Sequence, residues 1–169
     1  MSGATCGTWY AGAVVAPDVV VLVDDGTTAE RATAAEGAGP GLAPALRALQ
    51  GAFPASKVVL ARAARPQAGP AAPSGPPSLG ETLAALAQAG ERDVLVLPTL
   101  AAGPGAPSRI GETVAGWRAR GTFRRITFAQ APTAGATSGP AADPQDPGVL
   151  VGRAELAWWG TNPQLRPGR

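Results

Sequence analysis

Apolar residues fall in short continuous runs, separated by Ala-rich stretches that Gly and Pro punctuate. Val19 to Val23 reads VVVLV, with Pro17-Asp18 before it and Asp24-Asp25-Gly26-Thr27 after it. Unbroken rather than alternating apolarity predicts a central strand buried on both faces of a parallel sheet. Lys57 to Ala61 (KVVLA) and Asp93 to Leu97 (DVLVL, closed by Pro98) predict a second and a third strand, and Phe123 to Ala129 a fourth. Between the first two, residues 28 to 52 are Ala-rich, with Leu42, Leu46 and Leu49 at helical spacing and Phe53 beyond them. Gly37, Gly39, Pro40 and Gly41 interrupt that segment, so the helix is expected from about Leu42 to Gln50. Ser78 followed by Glu81 is a capping-box signature, and Leu79, Leu83 and Leu86 then share one face of a helix that stops at Gly90. A third helix is expected from about Arg109 to Arg120, ended by Gly121. Val149 to Trp159 suits either helix or strand and is read as helix.

Strands alternating with helices predict an α/β fold. Its expected form is a three-layer, mostly parallel sheet of about four strands with helices on both faces. The 169 residues suit one domain, taken as residues 1–150, with a C-terminal segment and tail over 151–169. Pro/Gly-rich connections near 65–77 and 130–148 exclude regular structure there. Hydrophobic residues make up 45%, but many are Ala, and 23 Gly with 18 Pro leave a thin core. Association is a common remedy for a thin core, so a homodimer is expected. Trp9, Tyr10, Trp158 and Trp159, near the two ends, are expected either to dock on the domain or to pack across that interface.

Charge changes the picture little. The net charge is +2, and the densest basic stretch (Arg118, Arg120, Arg124, Arg125) lacks interleaved aromatics. It reads as a solvated helix end and strand start, so no nucleic-acid partner is expected. A single cysteine, Cys6, forms neither an internal disulfide nor a Cys-based zinc site. No apolar run approaches a membrane span and no leader-like segment opens the chain, so no membrane partner and a cytoplasmic location are expected. No Gly-x-Gly-x-x-Gly follows Val23, and neither a Gly-Lys-Thr phosphate loop nor a Gly-x-Ser-x-Gly elbow is present. Histidine is absent altogether, which excludes a His-based triad. No cofactor and no tightly held transition metal are expected.

The candidate chemistry gathers where strands end. Asp24 and Asp25 leave a central strand at its carboxyl end, the side on which open parallel sheets bind ligands. Two carboxylates this close push one pKa upward, which is how a proton shuttle is made near neutral pH. The competing reading is a turn in which Asp caps the next helix. Thr27 and Thr28 either cap that helix or bind an anionic group at its N-terminus. Thr99 lies just past the third strand, at the same rim. Arg109, after a Gly-rich loop, is either a surface residue or a fork for a ligand carboxylate. Glu81 and Glu112 read as first-turn acids that favour the helix dipole. The expected partner is a small molecule, held by Thr27, Thr99 and Arg109 around Asp25 and Asp24.

Three stretches resemble the CbiX-type sirohydrochlorin chelatases. They are VVVLVDDGTT, the run from Pro77-Ser78-Leu79 through Gly90 to Asp93–Pro98, and Leu100 through Gly105 to Ile110. Together they span roughly residues 18 to 130. The resemblance implies the chelatase fold and, as in the short forms of that family, a homodimer. Asp25 stands where the family has its first histidine, Gly105 where it has its second, and Arg109 where it has an acidic residue. Imidazole suits late first-row metals and isolated carboxylates do not. The resemblance therefore implies a divergent member repurposed for acid/base or lyase-type chemistry on a small molecule. The alternatives are metal insertion into a tetrapyrrole, and a non-catalytic binding or assembly subunit.

Overall fold

The computed structural model describes residues 16–24, 42–63, 76–99, 106–130 and 146–160. In chain order the elements are β1 (Val19–Asp24), α1 (Leu42–Ala52), β2 (Lys57–Arg62), α2 (Leu79–Gln88), β3 (Asp93–Pro98), α3 (Ala106–Ala119), β4 (Arg125–Phe128) and α4 (Pro147–Trp159). The four strands form one sheet in the order β2-β1-β3-β4, and every pairing is parallel. The fold is therefore α/β. The two strands with the most continuous apolar runs, β1 and β3, pair directly, and each is buried along its whole length.

Continuous apolarity works here because successive side chains leave a strand on opposite sides. Val19, Val21 and Val23 join Val94 and Val96 in one core, together with Leu79, Leu83 and Leu86 of α2 and Ile110 and Val114 of α3. Val20 and Leu22 join Leu95 and Leu97 in a second core, with Leu42 and Leu49 of α1 and Leu150, Ala154, Trp158 and Trp159 of α4. Polar substitution at either parity of β1 or β3 would thus bury an unpaired group, which is why both strands read VVVLV and VLVL.

Local signals set several boundaries. The Ser78 hydroxyl accepts the Glu81 N–H at 3.3 Å while the Glu81 carboxylate accepts the Ser78 N–H at 2.8 Å, closing the capping box of α2. Gly90 and Gly121, just past α2 and α3, have φ of 82° and 64°, a left-handed conformation that costs glycine little. Asp146 caps α4 through the N–H groups of Gly148 and Val149, with Pro147 at the first helical position. α3 starts at Ala106 rather than Arg109, and β4 is shorter than the expected Phe123 to Ala129.

The amino ends of the strands are tied by polar contacts. Asp18 accepts the N–H groups of Arg92 and Asp93, both at 2.9 Å, and its own N–H donates to the Asp93 carbonyl at 2.8 Å. The Ser56 hydroxyl donates to the Pro17 carbonyl. The Asp93 carboxylate, 3% exposed, is gripped by both arms of Arg124, which lies 61% exposed. That carboxylate raises the Arg124 pKa further above its ordinary value, through its hydrogen bond and its charge.

The other arginines of the basic stretch are engaged as well. Arg118 donates to the Ile126 carbonyl at 2.9 Å, Arg120 lies over the Trp117 ring at 4.7 Å, and Arg125 lies over the Trp158 ring at 4.0 Å. All four arginines are nevertheless exposed, as the reading of a solvated helix end and strand start expects, and each touches the domain it edges. Trp158 and Trp159 are buried within the chain's own second core, so docking accounts for both and neither is available to a dimer interface. Trp9 and Tyr10 lie outside the described residues, as does Cys6.

Candidate functional site

The strand order places the chain's change of direction between β1 and β3: the chain runs from β1 to β2 on one side, then crosses to β3 on the other. At such a switch point the flanking connections diverge, and a crevice opens beyond the carboxyl ends of the two strands. β1 ends in Asp24, and the residue after β3 is Thr99. Register sets them opposite one another, because Val23 pairs with Pro98 one step earlier. The two-residue alternation that sends Leu22 and Leu97 into the second core carries Asp24 and Thr99 to that same side.

Both residues are only 1% exposed. The Thr99 N–H donates to the Val23 carbonyl at 2.8 Å, and the Thr99 hydroxyl is 3.0 Å from that carbonyl and 3.4 Å from Asp24 Oδ1. A hydroxyl has one proton, and the shorter contact is the better bond. On the other flank of β1, the Ala63 N–H donates to the Asp24 carbonyl at 2.7 Å. Backbone bonds from both neighbours therefore hold the end of β1, and a carboxyl group sits on it at a fixed point of the rim.

A third polar group reaches the same rim from α4. Arg153 donates from Nη1 to the Pro98 carbonyl and from Nη2 to the Ala129 carbonyl, both at 3.2 Å, which bridges the ends of β3 and β4. Its Nε is buried without a hydrogen-bond partner among the described residues. Burial holds its pKa below the ordinary arginine value. Beside it lies an open cavity of about 410 Å³, lined by Arg118, Phe128, Ala129, Gln130, Arg153, Leu156 and Ala157.

Of the residues proposed from sequence, the structure brings Asp24 and Thr99 together. Asp25 and Thr27 lie outside the described residues. Arg109 is exposed, and because α3 begins at Ala106 it sits in the first helical turn rather than at its opening; its carbonyl accepts the Thr113 hydroxyl at 2.9 Å. Arg153 and the cavity were not foreseen. The signal available was an arginine inside the largely apolar run GVLVGRAELAWW, whose one other charged residue is Glu155, and it carries no spacing that points to β3 or β4. Among the described residues no cluster of acidic or sulfur side chains suits a metal ion, and no helix is long and apolar enough to cross a membrane. Comparison of the chain with protein-family models, curated proteins and solved structures finds no match.

Proposed function

We propose that the protein carries out acid/base, lyase-type chemistry on a small molecule bound at the carboxyl rim, with the Asp24–Asp25 pair as its polar centre. The observation that carries this reading is an Asp, 1% exposed, at the carboxyl end of a central strand and opposite Thr99, beside the change of chain direction where open parallel sheets bind ligands. A carboxyl at such a place is well positioned to take or give a proton. Asp25, which follows immediately, is the second carboxyl of the pair, and the variants below separate the two. The likeness of VVVLVDDGTT to the chelatase family supports the same end of the sheet, with carboxyl groups doing proton transfer in place of imidazole. A homodimer belongs to this reading too, on the strength of the thin core and the family likeness.

A carboxylate base that works on carbon acids reveals itself before net turnover, by exchanging a carbon-bound hydrogen for solvent deuterium. The test is therefore proton NMR in D₂O of the protein with a panel of 2-oxo, 2-hydroxy and 3-hydroxy carbonyl compounds, neutral and acidic. Exchange is expected with at least one compound and should fall about 100-fold or more in Asp24→Asn or Asp25→Asn. Undiminished exchange in both variants, or none across the panel with folded protein, overturns the proposal. Light scattering at micromolar concentration checks the dimer, and a monomer mass refutes that part alone.

A further inference from the structure

We propose that the cavity between α3, β4 and α4 is a subsite for an organic oxyanion with an apolar body, gripped by Arg153 and Arg118. Among the described residues that line it, two are arginines and none is acidic. A guanidinium carries five N–H donors in a fixed fork. Arg118 commits one to the Ile126 carbonyl, and Arg153 commits two, to Pro98 and Ala129. The two bonds of Arg153 fix its plane and the one bond of Arg118 tethers it, and neither group is neutralised by these bonds, since a carbonyl carries no net charge. Two guanidiniums at one cavity, neither in an ion pair among the described residues, attract a carboxylate or phosphate, and the one already held in place loses little entropy in binding it.

The remaining walls define the rest of the ligand. Phe128, Ala129, Leu156 and Ala157 are apolar, and Gln130 adds an amide able to donate or accept. Leu156 is 55% exposed and is the one large hydrophobic side chain so exposed among the described residues. An apolar ligand body against it would remove that exposure. The volume of about 410 Å³ falls within the range of small-molecule sites. Burial lowers the Arg153 pKa, which means that its charge is carried at a cost, and a bound anion would relieve it. Arg153 also joins the two halves of the rim: it holds the Pro98 carbonyl, and the next residue is Thr99, opposite Asp24. The inference names the substrate class for the rim chemistry and rests on that reading only in treating the anion as a substrate.

The test uses three naphthalene probes, titrated by calorimetry against the full chain: 2-naphthoate, 2-naphthyl phosphate and the neutral 2-naphthamide. One anion is expected to bind at a 1:1 ratio, with the amide at least tenfold weaker. A tighter phosphate probe assigns the anion as a phosphate monoester, and a tighter naphthoate assigns it as a carboxylate. Arg153→Met should weaken anion binding at least tenfold, and Arg153→Lys should recover part of that loss. Should Arg153→Met fail to fold, Leu156→Glu is the substitute, because it places a negative charge at an already exposed wall; it too should weaken binding at least tenfold. Asp24→Asn should leave anion binding within twofold of the parent while losing deuterium exchange. Equal affinity for amide and anions, undiminished binding in the folded Arg153 and Leu156 variants, or no binding to the parent protein overturns the subsite. If exchange fails for every compound while the anions bind as described, the acid/base reading falls and the subsite stands.

Discussion

Replacing Trp158 tests whether α4 belongs to the core. The side chain is 2% exposed and packs among Leu49 of α1, Leu97 of β3 and Leu150 of α4. Trp158→Ala removes the largest fully buried side chain among the described residues, and truncations of this kind cost about 3–5 kcal/mol. The Arg125 guanidinium lies 4.0 Å above the ring, and losing that contact at a partly exposed site adds about 0.5–1 kcal/mol. The bond from Arg125 to the Trp158 carbonyl, at 2.8 Å, involves the backbone and survives the substitution. The total, about 4–6 kcal/mol, is comparable with the whole stability of a typical domain, about 5–15 kcal/mol. Trp158→Ala is therefore expected to be barely folded at room temperature, whereas Trp158→Phe, which keeps a ring, should lose about 1–2 kcal/mol. Urea unfolding followed by circular dichroism measures both, with the slope showing whether the unfolded reference has changed. If Trp158→Ala unfolds within about 1 kcal/mol of the parent at equal slope, the docking of α4 described here is wrong.

Thr99→Val keeps shape and removes one hydroxyl; since the Val23 carbonyl retains the Thr99 N–H, the expected loss is only about 1 kcal/mol in the same unfolding assay, and a loss above about 3 kcal/mol would show that the hydroxyl holds more than that carbonyl. Ser78→Ala should cost about 1 kcal/mol through loss of the α2 cap. The Ser78 hydroxyl and N–H hold the Glu81 pKa below the ordinary glutamate value, so the contribution is present above the unfolded pKa and is lost as pH falls through the folded one. Ser78→Ala should flatten that acid limb of the stability profile, and an unchanged limb would sink the assignment.

The elements legible in the sequence were those whose cause lies within a few residues. VVVLV and DVLVL announce strands buried on both faces because both parities are apolar, and the Ser78–Glu81 box starts α2 because its two partners are three residues apart. A parallel α/β sheet follows from such segments, since each strand must be joined to the next through a helix. α4 was harder to read because its apolar residues are not confined to one stripe, so periodicity distinguishes helix from strand poorly there. The candidate site divides along the same line. An Asp at the end of β1 was visible, as was a Thr past β3, but their facing depends on the register of strands some 75 residues apart. The pairing of Arg124 with Asp93 and the reach of Arg153 to Pro98 and Ala129 span 31, 55 and 24 residues. Nothing in the run GVLVGRAELAWW distinguishes an arginine bound for solvent from one that bridges two strand ends. Local sequence sets which backbone conformation each segment prefers; only the packing of α4 across the sheet decides where a long, flexible, charged side chain on it comes to rest.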